Sequence, residues 1–478
     1  MFDMLHEECG VFGVWSPERT DVAEMVYYGL YALQHRGQES CGIALSDDGV
    51  FRQHRADGLV GDVFNRAALE ELGQGSIAVG HVRYSTTGGK NPNNIQPVVV
   101  CHIKGNMALC HNGNLVNANS LRSEHEMRGG IFHGTTDTES IAYTIVSERL
   151  RAPSTEEAVA QAMPRIQGAY ACVLMTATKL IAFRDKNGFR PLCYGQTAEG
   201  AYVVASESCA LSAVGARFIR EVEPGEVLII GADGVRSDRR HCGRAASLCL
   251  FEYIYFARPD SVIGGASVYA ARKRAGMYLA KASPAKADVV IGVPDSGLDA
   301  AIGFSQESGI PYGVGFVKNR YVGRSYIAPN QRMRENAVRI KLNVIADTVR
   351  DKRVVLIDDS IVRGTTSARI VGLLREAGAR EVHMRISSPP FRHPCYFGTD
   401  VDSQENLIAC RLPDVEAIAR YIGADSLAYL SVQDAHRLAG DEGCRFCDGC
   451  FTGQYPIPIP EEQGKNKFEQ PLTRRSSK

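Results

Sequence analysis

Apolar and polar positions change rhythm once along this chain. Up to about residue 240, short apolar runs alternate with turn signals, as strands in a layered domain do. Such runs occupy residues 11–15, 77–82, 97–103, 107–110, 169–176, 180–184, 201–205 and 226–230, and the pair 169–176 and 180–184 reads as a hairpin. Two stretches have helical spacing instead. Val22, Met25, Val26, Leu30 and Leu33 predict a helix over 21–35, stopped by Gly37. Thr136 and Asp137 open another through Ile141, Ala142 and Ile145. Strands with helices in separate blocks predict an α+β domain. Residues 231–248 are polar and glycine-containing and read as a linker. Beyond them come two strand–loop–helix units: 288–293 with 298–305, and 353–357 with 368–377. Continuous apolar runs followed by helices predict a parallel sheet with helices on its faces. The stretch from about 456 is polar and Pro-rich and is expected to be disordered. No internal repeat is found.

Composition narrows the classes. The 478 residues give roughly three domains or two large ones. Lys and Arg number 54, as do Asp and Glu, so the formal net charge is zero. That argues against nucleic-acid or anionic-membrane partners, which need surplus positive charge. No apolar run reaches the roughly 18 residues of a membrane span. The acidic first residues do not resemble a secretory signal, so a cytoplasmic location is expected. Structural disulfides are then disfavoured, and 14 cysteines require another explanation.

Cys9 lies just ahead of the first strand. It could be a small core residue. It could instead be an N-terminal nucleophile, with its own α-amine as general base. That amine titrates near about 7.7–8.0 and the thiol near about 8.5, so both are poised near neutrality. This reading requires removal of residues 1–8. Arg83, just past a strand, could clamp a carboxylate with its planar fork. Asn112 and Gly113 could present an amide and a backbone N–H to an oxyanion, although Asn-Gly is also a hairpin signal. Asp137 could pair with a substrate ammonium, although Thr136 or Asp137 is also a good helix cap.

Taken together, Cys9-Gly10-Val11-Phe12-Gly13, His35-Arg36-Gly37-Gln38-Glu39, Arg83-Tyr84-Ser85-Thr86, Asn112-Gly113-Asn114 and Thr136-Asp137-Thr138-Glu139 resemble the glutaminase domain of N-terminal-nucleophile glutamine amidotransferases. The resemblance implies an αββα glutaminase over 9–240 with Cys9 as nucleophile. It also implies Arg83 on the glutamine α-carboxylate, Asp137 on the α-amine, and Asn112 with Gly113 as oxyanion hole.

The run from Val354 to Ile357 ends in Asp358 and Asp359. Ser360, Arg363, Gly364, Thr365, Thr366 and Ser367 then lead into a helix. A helix N-terminus offers free N–H groups to phosphate, and the hydroxyls add donors. Paired carboxylates can hold ribose hydroxyls and a hydrated Mg²⁺. The pattern resembles the phosphoribosylpyrophosphate motif of type I phosphoribosyltransferases. The loop Val293-Pro294-Asp295-Ser296-Gly297 should share the same sheet edge. There the resemblance implies that Ser296 helps to position Mg²⁺. Residues 318–341 hold seven basic residues, Lys318 among them, and one acid. That bias suits a lid closing over pyrophosphate.

A glutaminase followed by a type I phosphoribosyltransferase resembles the amidophosphoribosyltransferases. The resemblance implies a propeptide at 1–8 and a phosphoribosyltransferase domain over 241–455, with 456–478 as a tail. It implies that ammonia from glutamine displaces pyrophosphate from phosphoribosylpyrophosphate, giving 5-phosphoribosylamine, the committed step of purine synthesis. Purine nucleotide feedback and a homotetramer are implied too. A ligand-sensing DNA-binding regulator is the rival from another class; net neutrality and the glutaminase set argue against it. A glutamine-dependent synthase with another acceptor is a further rival, opposed by Asp358-Asp359.

Cys444, Cys447 and Cys450 form CxxCxxC, whose spacing fits zinc or an iron–sulfur cluster equally. One branch of the resembling family carries a 4Fe–4S cluster. Its pattern implies Cys249, Cys395, Cys447 and Cys450 as the four ligands, with Cys444 spare or exchangeable for one of them.

Overall fold

Most apolar strand positions of the first half are buried on both faces, which is why they read as runs rather than as alternation. The computed structural model describes residues 9–84, 91–319, 342–399, 401, 403–440 and 445–460. The expected propeptide 1–8, Ser85 and Thr86, residues 320–341 of the expected lid, Cys444 and the expected tail beyond 460 lie outside these. The described chain divides into two compact units. One holds 9–248 with 396–399 and 456–460; the other holds 249–395 and 401–455.

The strands of the first unit are β1 Gly10–Thr20, β2 Ser40–Asp47, β3 Val50–Asp57, β4 Gly75–Arg83, β5 Val98–His102, β6 Gly105–Leu115, β7 Gly168–Thr176, β8 Leu180–Arg184, β9 Cys193–Gln196, β10 Tyr202–Ala205, β11 Arg217–Glu221, β12 Val227–Gly231 and β13 Gly234–Asp238. They form two antiparallel sheets, ordered β11-β9-β10-β1-β4-β2-β3 and β13-β12-β8-β7-β6-β5. Val11, Ile77, Val79, Ala108, Val173 and Leu228 pack in one core cluster that joins the two sheets. On the other face of the first sheet, Phe12, Val14 and Ile43 meet Val22, Val26 and Leu30 of the helix Val22–Ala32. On the second sheet, Leu109, Cys172, Leu174 and Phe183 meet Ile141 and Ile145 of the helix Asp137–Arg149 and Val159 of the helix Thr155–Ala162. Helix, sheet, sheet, helix is the αββα order. Each buried face removes apolar area at about 25 cal/mol per Å², the main stabilising term.

Two sequence expectations change. The stretch 231–248 is not all linker: β13 within it pairs with β12 at the edge of the second sheet. An edge strand needs little apolar content, so Arg236 and Ser237 stand exposed there and the pattern hid it. Asn112-Gly113 is not a turn; both lie inside β6, paired with Ala171 and Tyr170 of β7.

The second unit is built on a parallel sheet of Val289–Gly292, Arg353–Asp358, Glu381–Ile386 and Ser426–Tyr429, in that spatial order. The helices Gly297–Ser308, Thr365–Glu376 and Val415–Ile422 follow or connect these strands, giving the strand–loop–helix units that the sequence predicts. Ile291, Val354, Leu356, Val382 and Ile386 form its core with Ile370, Leu374, Ile418 and Ile422.

Candidate functional site

In the first unit, β1 pairs with β4 so that Gly10 faces Val82, which brings the start of β1 beside the end of β4. Cys9 is half-buried, and its Sγ lies 3.6 Å from the carbonyl oxygen of Tyr84. Its own carbonyl accepts a hydrogen bond from Arg36 Nε at 3.1 Å. Arg36 in turn pairs with Glu207 at 2.6 Å, both side chains fully buried. His35 Nε2 meets the same Glu207 oxygen at 2.8 Å. The sequence quotes His35 and Arg36 within a motif but gives Glu207 no signal, since it arrives from 171 residues away. Removing one partner of such a buried pair strands the other charge.

Arg83 closes β4 and is 4% exposed. Gly37 explains how the 36–39 loop reaches it: a Cβ there would sit 2.6 Å from the carbonyl carbon of Val82 and 2.7 Å from the nitrogen of Arg83. Glu39 N donates to the Arg83 carbonyl at 3.2 Å and fixes that approach.

On β6, Asn112 is fully buried, and neither its Oδ1 nor its Nδ2 has a hydrogen-bond partner. Buried amides are almost always paired, so an orphaned one points to a ligand. Gly113 has φ +134, and a Cβ there would meet the carbonyl oxygen of Ala169 at 2.2 Å, so only glycine fits. Asp137 begins its helix, accepts from Leu115 N at 3.0 Å and lies 3.4 Å from His111 Nδ1. Burial would raise its pKa, but the His111 charge and hydrogen bond and the N–H groups of Leu115 and Thr138 outweigh it and hold the carboxyl below its usual range. Asp137 is therefore an anion in a nearly dry place, suited to an ammonium. His81, wholly buried, is pushed down to about 3, chiefly by burial, and stays neutral at physiological pH. Its Nε2 meets the carbonyl of His111 at 3.0 Å. Gln96 accepts from His111 N at 2.7 Å. These second partners carry no local sequence signature.

In the second unit, Asp358 and Asp359 lie at the carboxyl end of a central parallel strand, 7% and 8% exposed. Burial pushes both carboxyls up, and the charge of Asp359 pushes Asp358 further. Ser296 and Ser360 both donate to Asp359 through their hydroxyls. So the structure brings Ser296, from the 293–297 loop, onto the acidic pair as the sequence predicts. Lys318 instead pairs with Asp295 in that same loop. The peptide between Pro294 and Asp295 is cis. Arg363 is half-buried, Gly364 has φ +89, and the helix Thr365–Glu376 begins there with Thr365 exposed and Ser367 buried. The Thr366 hydroxyl is buried without a partner. So are Ser388 Oγ, which follows the next strand, and Tyr429 Oη, which ends the last one. These two sit at or just after strand ends, where ligands of parallel sheets bind, and sequence reasoning missed them.

The cysteines converge. Strand Ser247–Cys249 pairs with strand Arg445–Cys447, and Leu250 N donates to Cys447 O at 3.1 Å. Arg392 N and His393 N donate to Cys450 O at 3.0 and 3.1 Å, which draws in the segment before Cys395. Burial first, and then the charges of Cys395, Cys249 and Cys447, raise the Cys450 thiol well above its ordinary value. The four sulfurs thus share one neighbourhood, a soft-donor set of the kind that iron or zinc takes. Among the described residues, no three His, Cys, Asp or Glu side chains stand in a ready-formed metal-binding arrangement. No described helix is long and apolar enough to cross a membrane.

Comparison with known proteins agrees with both halves. The glutamine amidotransferase domain family matches residues 81–213. An amidophosphoribosyltransferase of Synechocystis is 50% identical over 469 residues, covering 98% of this chain and 94% of its own. That of Bacillus subtilis is 48% identical over 463 residues, covering 96% of each chain. The solved structure of the Bacillus subtilis glutamine phosphoribosylpyrophosphate amidotransferase, complexed with ADP and GMP, superposes with a TM-score of 0.88 at 47% identity, covering 96% of this chain and 99% of its own. With this identity over nearly the full length, the chain belongs to the amidophosphoribosyltransferase family.

Proposed function

We propose that this chain hydrolyses glutamine in its first unit and uses the ammonia to displace pyrophosphate from phosphoribosylpyrophosphate in its second. The products are glutamate, pyrophosphate and 5-phosphoribosylamine, which enters purine synthesis. The observation that carries the acceptor half is the Asp358–Asp359 pair. Two buried carboxyls end a parallel strand, hydroxyls of Ser296 and Ser360 bind one of them, and a glycine-led helix N-terminus follows. That set suits a ribose with a phosphate and does not suit a sugar-isomerase partner.

In this reading, residues 1–8 are removed and the free α-amine of Cys9 takes the thiol proton. The thiolate attacks the glutamine side-chain carbonyl. Asn112 and the Gly113 N–H take the oxyanion; one such donor is worth about 10²–10³ in kcat. Arg83 holds the α-carboxylate and Asp137 the α-ammonium. The Cys9 α-ammonium returns that proton to the amide nitrogen as ammonia leaves, and water cleaves the glutamyl thioester to glutamate and the free thiol. In the second unit, Asp358 and Asp359 hold the ribose hydroxyls. Thr365, Thr366 and Ser367 with their N–H groups hold the 5-phosphate, with Ser360, Arg363 and Gly364 shaping the loop, and Lys318 serves the pyrophosphate. A bound Mg²⁺, held through Ser296, Asp358 and Asp359, would neutralise pyrophosphate charge and favour the ionised carboxylates. Cys249, Cys395, Cys447 and Cys450 would hold a 4Fe–4S cluster as a structural tie. Purine nucleotides as inhibitors, a homotetramer and a cytoplasmic setting complete the proposal. Support for the first comes from the ADP and GMP bound to the Bacillus subtilis relative.

The test is glutamate and pyrophosphate release by the purified protein with glutamine, phosphoribosylpyrophosphate and Mg²⁺. Both products should appear in equal amounts. Cys9→Ala should abolish the glutamine-dependent rate and keep the ammonia-dependent one. No pyrophosphate release by protein with an intact mature N-terminus would overturn the proposal.

A further inference from the structure

Residues 396–399 follow Cys395 in the chain, yet they pack within the first unit. Their seat is specific. Asn114 Nδ2 donates to the carbonyl of Tyr396 at 3.0 Å, across 282 residues of sequence. Arg190 donates to the carbonyl of Phe397 from Nε at 3.3 Å and from Nη2 at 2.7 Å. The Phe397 ring stacks on that of Phe189, with centroids 4.3 Å apart and planes at 17°. Arg190 and Phe189 are fully buried, and Phe397 is 2% exposed. A guanidinium in that position is strongly committed, because its donors cannot turn to water.

Both supports of this segment lead to the oxyanion pair. Asn114 is two residues beyond Asn112 on β6. Phe189 and Arg190 leave a turn that the Asp185 carboxylate organises by accepting from Tyr170 N at 3.2 Å, Asn187 N at 2.8 Å and Phe189 N at 3.3 Å. Tyr170 is the β7 residue opposite Gly113. Asp185 N also donates to the Tyr170 carbonyl at 2.9 Å. Gly113 leaves no room for a side chain, since a Cβ there would sit 2.2 Å from the carbonyl oxygen of Ala169.

We infer that residues 396–399 are a strap that positions the β6 segment carrying Asn112 and Gly113, with Asn114, Phe189, Arg190 and Phe397 as positioning residues for glutamine hydrolysis. The inference rests on the glutaminase reading above. In this inference none of the four contacts glutamine; each acts through the main chain of β6 or β7. An oxyanion donor displaced by a fraction of an ångström loses most of its effect, so loosening the strap should lower kcat more than it raises KM.

The test uses the full-length mature protein and the variants Phe397→Ala, Phe397→Leu and Arg190→Lys. Three quantities are read: glutamine-dependent kcat and KM, ammonia-dependent pyrophosphate release, and hydrogen exchange in peptides covering residues 107–115. Phe397→Ala should cut glutamine-dependent kcat by about tenfold or more. The ammonia-dependent rate should stay within about twofold, and amide exchange at 111–115 should quicken. Phe397→Leu, which keeps most of the buried volume, should lie between Phe397→Ala and the parent. Arg190→Lys should resemble Phe397→Ala, because one ammonium cannot reproduce a two-nitrogen clasp. Exchange at 111–115 as slow as in the parent, or equal losses of the glutamine-dependent and ammonia-dependent rates, would overturn the strap. A parent enzyme that fails to hydrolyse glutamine refutes the proposed function instead, and the exchange data still judge the strap.

Discussion

Asn112→Ala should separate stability from activity. The side chain of Asn112 is fully buried, and both of its polar atoms lack partners. An unsatisfied buried polar group costs about 1–3 kcal/mol, so the folded protein carries a cost of a few kcal/mol at this one residue. Truncation to alanine removes both orphans and leaves a small cavity. Cavity creation with lost contacts costs a similar few kcal/mol for larger side chains and less here. The two nearly cancel, so the unfolding midpoint should hold or rise. Activity should move the other way. If the amide is an oxyanion donor, its loss lowers glutaminase kcat by about 10²–10³, or roughly 3–4 kcal/mol of transition-state stabilisation. The assay is glutamate release at saturating glutamine, with ammonia-dependent pyrophosphate release as control and a thermal melt of the same preparation. A midpoint well below the parent's would show that Asn112 has a structural partner and refute the reasoning. A kcat within twofold of the parent would refute the oxyanion role.

Three further outcomes follow from particular contacts. Glu207→Ala removes the carboxylate that buried Arg36 meets at 2.6 Å beside the Cys9 carbonyl; it should destabilise by about 3–5 kcal/mol and suppress glutamine hydrolysis, read by denaturant titration and glutamate release. Gly37→Ala drives a Cβ against the main chain of Val82 and Arg83, which cannot swing aside as a side chain could; overpacking of about 1–3 kcal/mol and a raised KM for glutamine are expected, because Arg83 shifts. Asp185 titrates near 6 in the fold, raised by burial against Arg184 and the N–H groups of Asn187, Tyr170 and Phe189. The unfolded chain releases that proton near pH 4, so the folded state binds more protons between about pH 4 and 6, and stability falls as pH rises through that window and then levels. In Asp185→Asn, measured by denaturant midpoints across the same range, this part of the decline should vanish.

Much of this architecture was legible as pattern. The strand–loop–helix units around Asp358 and Ser296 follow from apolar runs that end in polar, glycine-bearing loops, because chemistry at a parallel sheet is local to strand ends. Cys9, Arg83 and Asp137 were legible because each stands at the start or end of an element. Three kinds of feature were not. β13 was hidden because an edge strand exposed on one side needs no apolar alternation. Asn112-Gly113 reads as a turn by residue type, and only its pairing with Ala171 and Tyr170 of β7 shows that the dipeptide lies inside a strand. The Glu207 carboxylate, the Gln96 amide and the hydroxyls of Ser388 and Tyr429 carry no motif, since each matters through a neighbour far away in sequence.

The sequence by itself determined the two halves, their order, and the residues whose chemistry is local: a thiol before a strand, a carboxyl pair before a helix, cysteines at ligand spacing. Those follow from backbone periodicity and side-chain chemistry, which need only neighbours along the chain. Tertiary structure alone decided which distant groups neutralise and aim them. It set Glu207 against Arg36, His111 against Asp137, three cysteine sulfurs around Cys450, and the carbonyl of Tyr396 against Asn114. A buried charge or donor must be satisfied by whatever the fold brings within about 3 Å, and that partner is chosen by packing rather than by position in the sequence.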